Sequence, residues 1–234
     1  RLFDFARSHP EIELRFSATL RLADFNRDDV DVAIRFGMGG EDDGLYSKSI
    51  IREWMTPMMS PALANEISSP EDLLSATLLQ DNNLDFLDPP CDWQTWFHAA
   101  GLDDKPPGGP VFSQADHAID AAEGGGGVVL GRASLTTRAL EEGRLIIPFP
   151  IAITTDAHYR VLCPSGTEER PHVAAFLGWL DNEAKETGLR QPGLRYINSK
   201  DLALSSGGFS LRFSAPQVRR CAQPIAFADA RSLL

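Results

Sequence analysis

The chain has 234 residues, 43% of them hydrophobic, and a formal net charge of −11. That length suits one large domain or two small ones, and the apolar fraction supports a packed core rather than a disordered or fibrous chain. The acidic balance argues against holding nucleic acid through phosphate neutralisation, the scattered Cys91, Cys163 and Cys221 suit a reducing compartment, and no run approaches the roughly 18 apolar residues of a membrane-spanning helix.

The chain opens at Arg1 with no methionine and no signal-peptide pattern, already inside an amphipathic stretch with Leu2, Phe5, Ala6 and His9 on one face. This predicts a helix from Arg1 to about Ser8 whose first turn or more lies upstream, stopped at His9-Pro10 because proline biases the preceding residue away from the α region. Glu11 to Phe16 alternates, which places Ile12, Leu14 and Phe16 on one sheet face. A polar connection with Asp28, Asp29 and Asp31 then leads into Asp31-Val32-Ala33-Ile34-Arg35-Phe36-Gly37-Met38-Gly39. A short β-branched run left through glycines reads as a buried strand ending in a turn, of the kind that parallel sheets cover on both faces. Helix, strand, connection, strand predicts an α/β fold with a parallel sheet. Ligands of such sheets collect beyond the carboxyl ends of strands, so the Gly37-Met38-Gly39 turn is a candidate ligand position, with plain turn chemistry as the alternative.

Leu45 to Met59 is a long extended segment. Ser60-Pro61 and Ser68-Ser69-Pro70-Glu71-Asp72-Leu73 follow, the second a helix-start signal, and they mark the expected handover from one sheet to another. Ala76 to Gln80 reads as the first strand of a second unit. Trp93, Trp96, Phe97 and Ala100 form a helical stripe closed by Gly101; Ala115, Ala118, Ile119 and Ala122 repeat it after the strand Pro110-Val111-Phe112. Leu135, Ala139 and Leu140 give a third, weaker stripe. Val128–Leu130 and Leu145–Ile147 are the intervening strands, and Tyr159 to Leu162 is a strand leaving this unit. Val173, Phe176, Leu177 and Leu180 make a final helix ending near Lys185. From Gly188 onward seven basic residues face two acidic ones, a net of +5. Only Phe209 to Phe213 alternates there, so 188–234 reads as a poorly ordered appendage.

The chemical motifs are thin. Gly124–Gly127 ends a helix and opens a strand, the reverse of a dinucleotide-binding loop, and is better read as a helix cap and turn. Asp81, Asn83, Asp85, Leu87, Pro89 and Asp92 fall at calcium-loop positions, but Phe86 stands where that loop needs glycine. His98, His117, His158 and His172 show no zinc spacing. Ser113, Asp116 and His117 lie too close on one helix start for a nucleophile, base and orienting group. They suit an anion or carboxylate site at a helix N-terminus, with simple capping by Ser113 as the equal alternative. Trp93 and Trp96 read as core anchors rather than a ligand platform.

Taken together these residues resemble a known family. Asp31-Val32-Ala33-Ile34-Arg35-Phe36-Gly37 is similar to a characteristic strand of LysR-type transcriptional regulators, and Ser60-Pro61-Ala62-Leu63 with Pro70-Glu71-Asp72-Leu73 looks like the segment between their two regulatory lobes. Trp93-Gln94-Thr95-Trp96-Phe97 with Ala100-Gly101 resembles a helix of the subgroup containing glycine-cleavage and β-lactamase regulators. Ala121-Ala122 through Val128-Val129-Leu130, Arg144 to Phe149 and Trp179 to Ala184 continue the series in family order, from Arg1 to about Lys185. The winged helix-turn-helix, the linker helix and the first regulatory strand have no counterpart in this sequence.

The resemblance implies an effector-binding domain: a two-lobe α/β fold of the type II periplasmic-binding-protein kind, joined by crossing strands. The expected lobes are residues 1–62 with 157–187, and 63–156. A small polar or anionic effector is expected in the cleft, against Phe36, Gly37, Met38, Gln80, Asp81, Ser113, Gln114, His117 and His158. No enzyme activity, cofactor or metal is expected. DNA is a partner only through a helix-turn-helix outside this sequence; RNA polymerase is a candidate partner, and a cytoplasmic homodimer or homotetramer without membrane contact is expected. A periplasmic solute-binding protein is the alternative.

Overall fold

The structure, a computed structural model, describes residues 2–18, 21–40, 42–187 and 191–205, together with the backbone of 224–228. In chain order the elements are α1 (Leu2–Ser8), β1 (Arg15–Ala18), β2 (Val32–Gly37), β3 (Leu45–Met58), β4 (Leu78–Asp81), α2 (Trp93–Ala100), β5 (Val111–Phe112), α3 (Ala115–Glu123), β6 (Val128–Arg132), α4 (Ala133–Glu141), β7 (Ile151–Pro164), α5 (Pro171–Thr187), β8 (Arg195–Asn198), α6 (Ser199–Ser205) and β9 (Pro224–Ala228). Short 3-10 helices at Pro61–Asn65 and Pro70–Ser75 stand where the two Ser-Pro signals fall, the second with a capping box between Ser69 and Asp72.

The chain divides into two compact units. The first contains residues 1–52, 157–188 and 220–234, the second 53–156 and 189–219. The passage therefore falls inside β3, earlier than the boundary expected at Ala62. The reason is register: Met55 to Met58 already pair with Arg132 to Val129 of β6, and nothing in a continuous strand sequence marks that change of partner.

In the first unit β2 lies between two antiparallel neighbours, with Ala33–Gly37 paired to Leu162–His158 of β7 and Val32–Arg35 to Phe227–Pro224 of β9. The parallel arrangement expected around this strand is thus not what its described partners form, although its near-continuous burial matches the expectation. One face packs on α1 and α5 through Phe5, Ile34, Val161, Phe176 and Leu177. Phe5 meets Phe176 edge-on at 5.3 Å between ring centroids, a favoured aromatic geometry. Regular pairing begins at Arg15, not Glu11, and Phe16 is 51% exposed rather than core-facing. Ile12 and Leu14 do pack against the apolar cluster, from a non-strand segment that precedes β1.

In the second unit β4 runs parallel to both β5 and β6. The helical stripes of α2 and α3 are buried as their spacing requires, with Trp96, Ala118 and Ala122 fully inaccessible. Aspartate 92 caps α2 by accepting from the Thr95 N–H at 2.9 Å. In helix α4 the expected stripe holds at Ala139, which is buried, and at Leu140, which packs on the core, but Leu135 is 40% exposed and Ala133 and Thr136 face inward instead. Thr136 tolerates burial because its hydroxyl donates to the Arg132 carbonyl at 2.9 Å. The strand expected at Leu145–Ile147 reduces to one bridge between Ile146 and Met59.

Within the segment expected to lack structure, β8 pairs parallel with Ile151–Thr154 of β7 and Tyr196 stands edge-on to Trp54 at 5.7 Å. Lys200 of α6 pairs with Asp156. The alternation at Phe209–Phe213 lies outside the described residues.

Candidate functional site

The nine candidate residues fall into two groups, one in each unit. In the second unit the parallel register sets Gln80 beside Val111 and Asp81 beside Phe112, so the carboxyl ends of β4 and β5 finish together. The Gln80 N–H donates to the Pro110 carbonyl at 2.9 Å. The Asn83 side-chain amide donates to the Ser113 carbonyl at 2.7 Å, tying the loop after β4 to the approach of α3. Ser113, Gln114 and His117 are exposed at that helix start. The N-cap of α3 is Gln114, whose side chain makes no capping bond; the alternative of capping by Ser113 is therefore not realised. The first-turn N–H groups of an α-helix have no intrahelical acceptor, and they carry the positive end of its dipole.

Beside this edge lies a pocket of about 210 Å³ lined by Gln80, Asp81, Leu84, Cys91, Trp93 and Leu130 among others. Ser113, Gln114 and His117 do not line it. Its carboxylates serve local structure. Asp81 accepts from the Asn83 N–H at 3.0 Å, and Asp92 from both the N–H and the hydroxyl of Thr95 at 2.9 Å. Asp81 and Asp92 are the first and last of the six residues at calcium-loop positions, and here both act as helix caps. Among the described residues no group of three or more His, Cys, Asp or Glu side chains is placed to hold a metal ion. Burial pushes the Cys91 thiol up to about 12, with the charges of Asp92 and Glu53 adding to it, so the sulfur facing the pocket is a neutral wall, not a nucleophile.

In the first unit Gly37 and His158 are direct partners across β2 and β7. Phe36 is buried, its ring 5.0 Å from that of Tyr159, whereas Met38 is 41% exposed just past the strand end. Gly39 follows with φ +84°, a left-handed conformation that side-chain-bearing residues avoid. Sequence reasoning missed what surrounds this turn. Arg160 lies against Gly39 and pairs with Asp42, their side chains 10% and 12% exposed. Arg35 stands opposite Arg160 in the ladder. Neither arginine carries a motif; only the strand register brings them together.

No helix among the described residues is long and apolar enough to cross a membrane. Comparison with known proteins places these observations. The sequence profile described as the LysR substrate binding domain matches residues 1–185. The HTH-type transcriptional activator AmpR of Rhodobacter capsulatus is 32% identical over 186 residues, 80% of this chain and 62% of that protein. The glycine cleavage system transcriptional activator of Escherichia coli K12 is 33% identical over 184 residues, 77% of this chain and 58% of the activator. The chain thus spans about three fifths of the length of these relatives. The solved effector domain of AmpR from Pseudomonas aeruginosa superposes with a TM-score of 0.64 at 32% identity, covering 80% of this chain and 87% of that one. The effector binding domain of AmpR from Citrobacter freundii gives 0.64 at 28% identity, covering 80% and 90%. These relatives are named as transcriptional regulators, not transport proteins or enzymes. With its α/β units, its strand-end residues and a profile match across most of its length, the chain belongs to the LysR substrate-binding domain family.

Proposed function

We propose that this chain is the effector-sensing domain of a DNA-binding transcriptional regulator, recognising a small polar or anionic metabolite. The observation that carries the reading is the edge of the second unit, where Gln80 and Asp81 end one strand beside a pocket. There Ser113, Gln114 and His117 surround a helix start without a side-chain cap. Such an edge offers hydrogen-bond donors and a favourable potential for negative charge. Phe36, Gly37, Met38 and His158 form the matching group of the first unit, and the units correspond to the two regulatory lobes. Sensing works by population shift: a metabolite that binds one arrangement of the domain better than another raises the share of that arrangement. DNA contact belongs to a helix-turn-helix outside this sequence, and the whole protein acts in the cytoplasm as a homo-oligomer without catalysis, with RNA polymerase as a further partner.

A thermal-shift screen of amino acids, organic acids and cell-wall fragments tests the reading, because a ligand that binds only the folded chain raises its melting temperature. A hit should lose most of its effect in Gln80→Ala and in His117→Ala. Equal affinity in both variants would remove the assignment.

A further inference from the structure

The antiparallel register of β2 and β7 sets Arg35 opposite Arg160. Directly opposed residues share a sheet face, with Cβ atoms about 5 Å apart. Side chains alternate along each strand. Ile34, Val161 and Tyr159 take the face toward the apolar cluster that includes Phe176 of α5, so Arg35, Arg160 and His158 take the other. Two guanidinium groups, charged at any working pH, are therefore held side by side. Like charges in direct opposition destabilise a ladder, and such a pairing is sustained when something negative shares the space.

Asp42 supplies negative charge through its contact with Arg160. Arg35 reaches the Ala23 carbonyl with one terminal nitrogen, at 3.1 Å. The Nε–H of Arg160 is buried and has no acceptor among the described residues. Burial first, and the Arg35 charge second, draw Arg160 below the usual guanidinium range. The guanidinium lies over the bare backbone of Gly39, where a Cβ would stand 3.6 Å from its Nη1 and 3.7 Å from its Cζ. The turn thus presents the face of a cation beside a second cation, with Arg160 held by the Asp42 carboxylate, which also accepts from the Ser47 hydroxyl at 2.9 Å and is an anion of the same chemistry as a ligand carboxylate.

We propose that Arg35 and Arg160 form an oxyanion subsite in the first unit, in which Asp42 is the occupant of the ligand-free chain and leaves Arg160 when a carboxylate or phosphate group binds. As the anion-binding part of the effector site, the subsite rests on the sensing reading given above and adds two specificity residues to it. Planar guanidinium groups hold such anions through paired N–H donors.

Equilibrium dialysis of labelled inorganic phosphate, with a parallel acetate arm at constant ionic strength, tests the subsite. Saturable binding of one or both probes is expected, and the arm with the tighter binding tells phosphate from carboxylate. Asp42→Asn removes the internal competitor and should tighten binding about tenfold, whereas Arg35→Gln should weaken it by at least about tenfold. Asp42→Asn keeps both arginines, so it decides the question even if an arginine variant folds poorly. Absence of saturable binding, or an Asp42→Asn affinity equal to wild type, overturns the subsite. A metabolite hit indifferent to Arg35→Gln and Asp42→Asn does so too, while leaving the sensing reading intact. Phosphate binding with the expected variant pattern but no metabolite hit sustains the subsite and removes the sensing reading instead.

Discussion

Replacing Glu53 by glutamine tests how the second unit holds a buried charge. Glu53 and Arg132 have side chains 0% and 3% exposed, with 3.6 Å between Oε2 and Nε. Glu53 also accepts from the Ser134 N–H at 3.0 Å and from the Ser134 hydroxyl. Ser134 lies in the first turn of α4, so the carboxylate also faces the positive end of that helix. Glutamine keeps the shape and one accepting oxygen but leaves Arg132 without its anionic partner. Breaking a buried pair costs about 3–5 kcal/mol, and the retained oxygen argues for the lower end. A loss near 3 kcal/mol corresponds to a melting temperature lower by about 6–12 °C in a chain of this size. The assay is urea denaturation followed by tryptophan fluorescence. Trp54, Trp93 and Trp96 report the second unit and Trp179 the first. Adding Arg132→Met to Glu53→Gln should restore much of the loss, because it removes the buried cation that the single variant leaves uncompensated. A single-variant loss under about 1 kcal/mol, or a double variant that loses the sum of its parts, refutes the reasoning.

Two further outcomes follow from the packing. A Cβ on Gly109 would collide with the Leu78 carbonyl, whereas one on Gly108 meets nothing within 4 Å. Gly109→Ala should therefore cost about 1–3 kcal/mol by forcing β4 and β5 apart, with Gly108→Ala close to neutral, and equal urea midpoints for the two would contradict this. The Cys91 thiol has an ordinary value of 9.0 that burial pushes up to about 12, so the native chain keeps a proton that the unfolded chain releases. Its contribution is fully present below pH 9 and is lost as pH rises toward 12, by about 1.4 kcal/mol at pH 10. Urea midpoints measured at pH 8 and pH 10 should fall more in wild type than in Cys91→Ala.

What could be read from the sequence follows what local periodicity encodes. The stripes of α2 and α3 were legible because Trp93, Trp96, Phe97, Ala118, Ile119 and Ala122 are apolar at helical spacing, and all six are buried. In helix α4 only one expected stripe position failed: Leu135 looks like core and Thr136 does not, yet a threonine whose hydroxyl finds a backbone acceptor buries at little cost. Strand β7 was legible only at Tyr159–Leu162, since Thr154 to His158 carries mostly polar residues that the ladder, not hydropathy, holds extended. At the candidate sites the strand-end rule pointed to Gln80, Asp81 and the Gly37–Gly39 turn. It could not reveal Cys91, Leu84 and Leu130 around the pocket, nor the meeting of Arg35 with Arg160. Those depend on register between segments far apart in the chain, which no local window contains.

The division inside β3 and β7 has a consequence for biogenesis. The apolar cluster of the second unit draws its buried residues from the stretch Trp54 to Ala152, with only the partly buried Leu194 and Tyr196 packing on it from later in the chain, so most of it can close while the ribosome is still adding later residues. The first unit is assembled from stretches on both sides of that one, and β2 waits for β7 before its ladder exists. Early in synthesis the β2 backbone therefore stands with open donors and acceptors, and the nascent chain is most exposed to wrong strand pairing before residue 157 emerges.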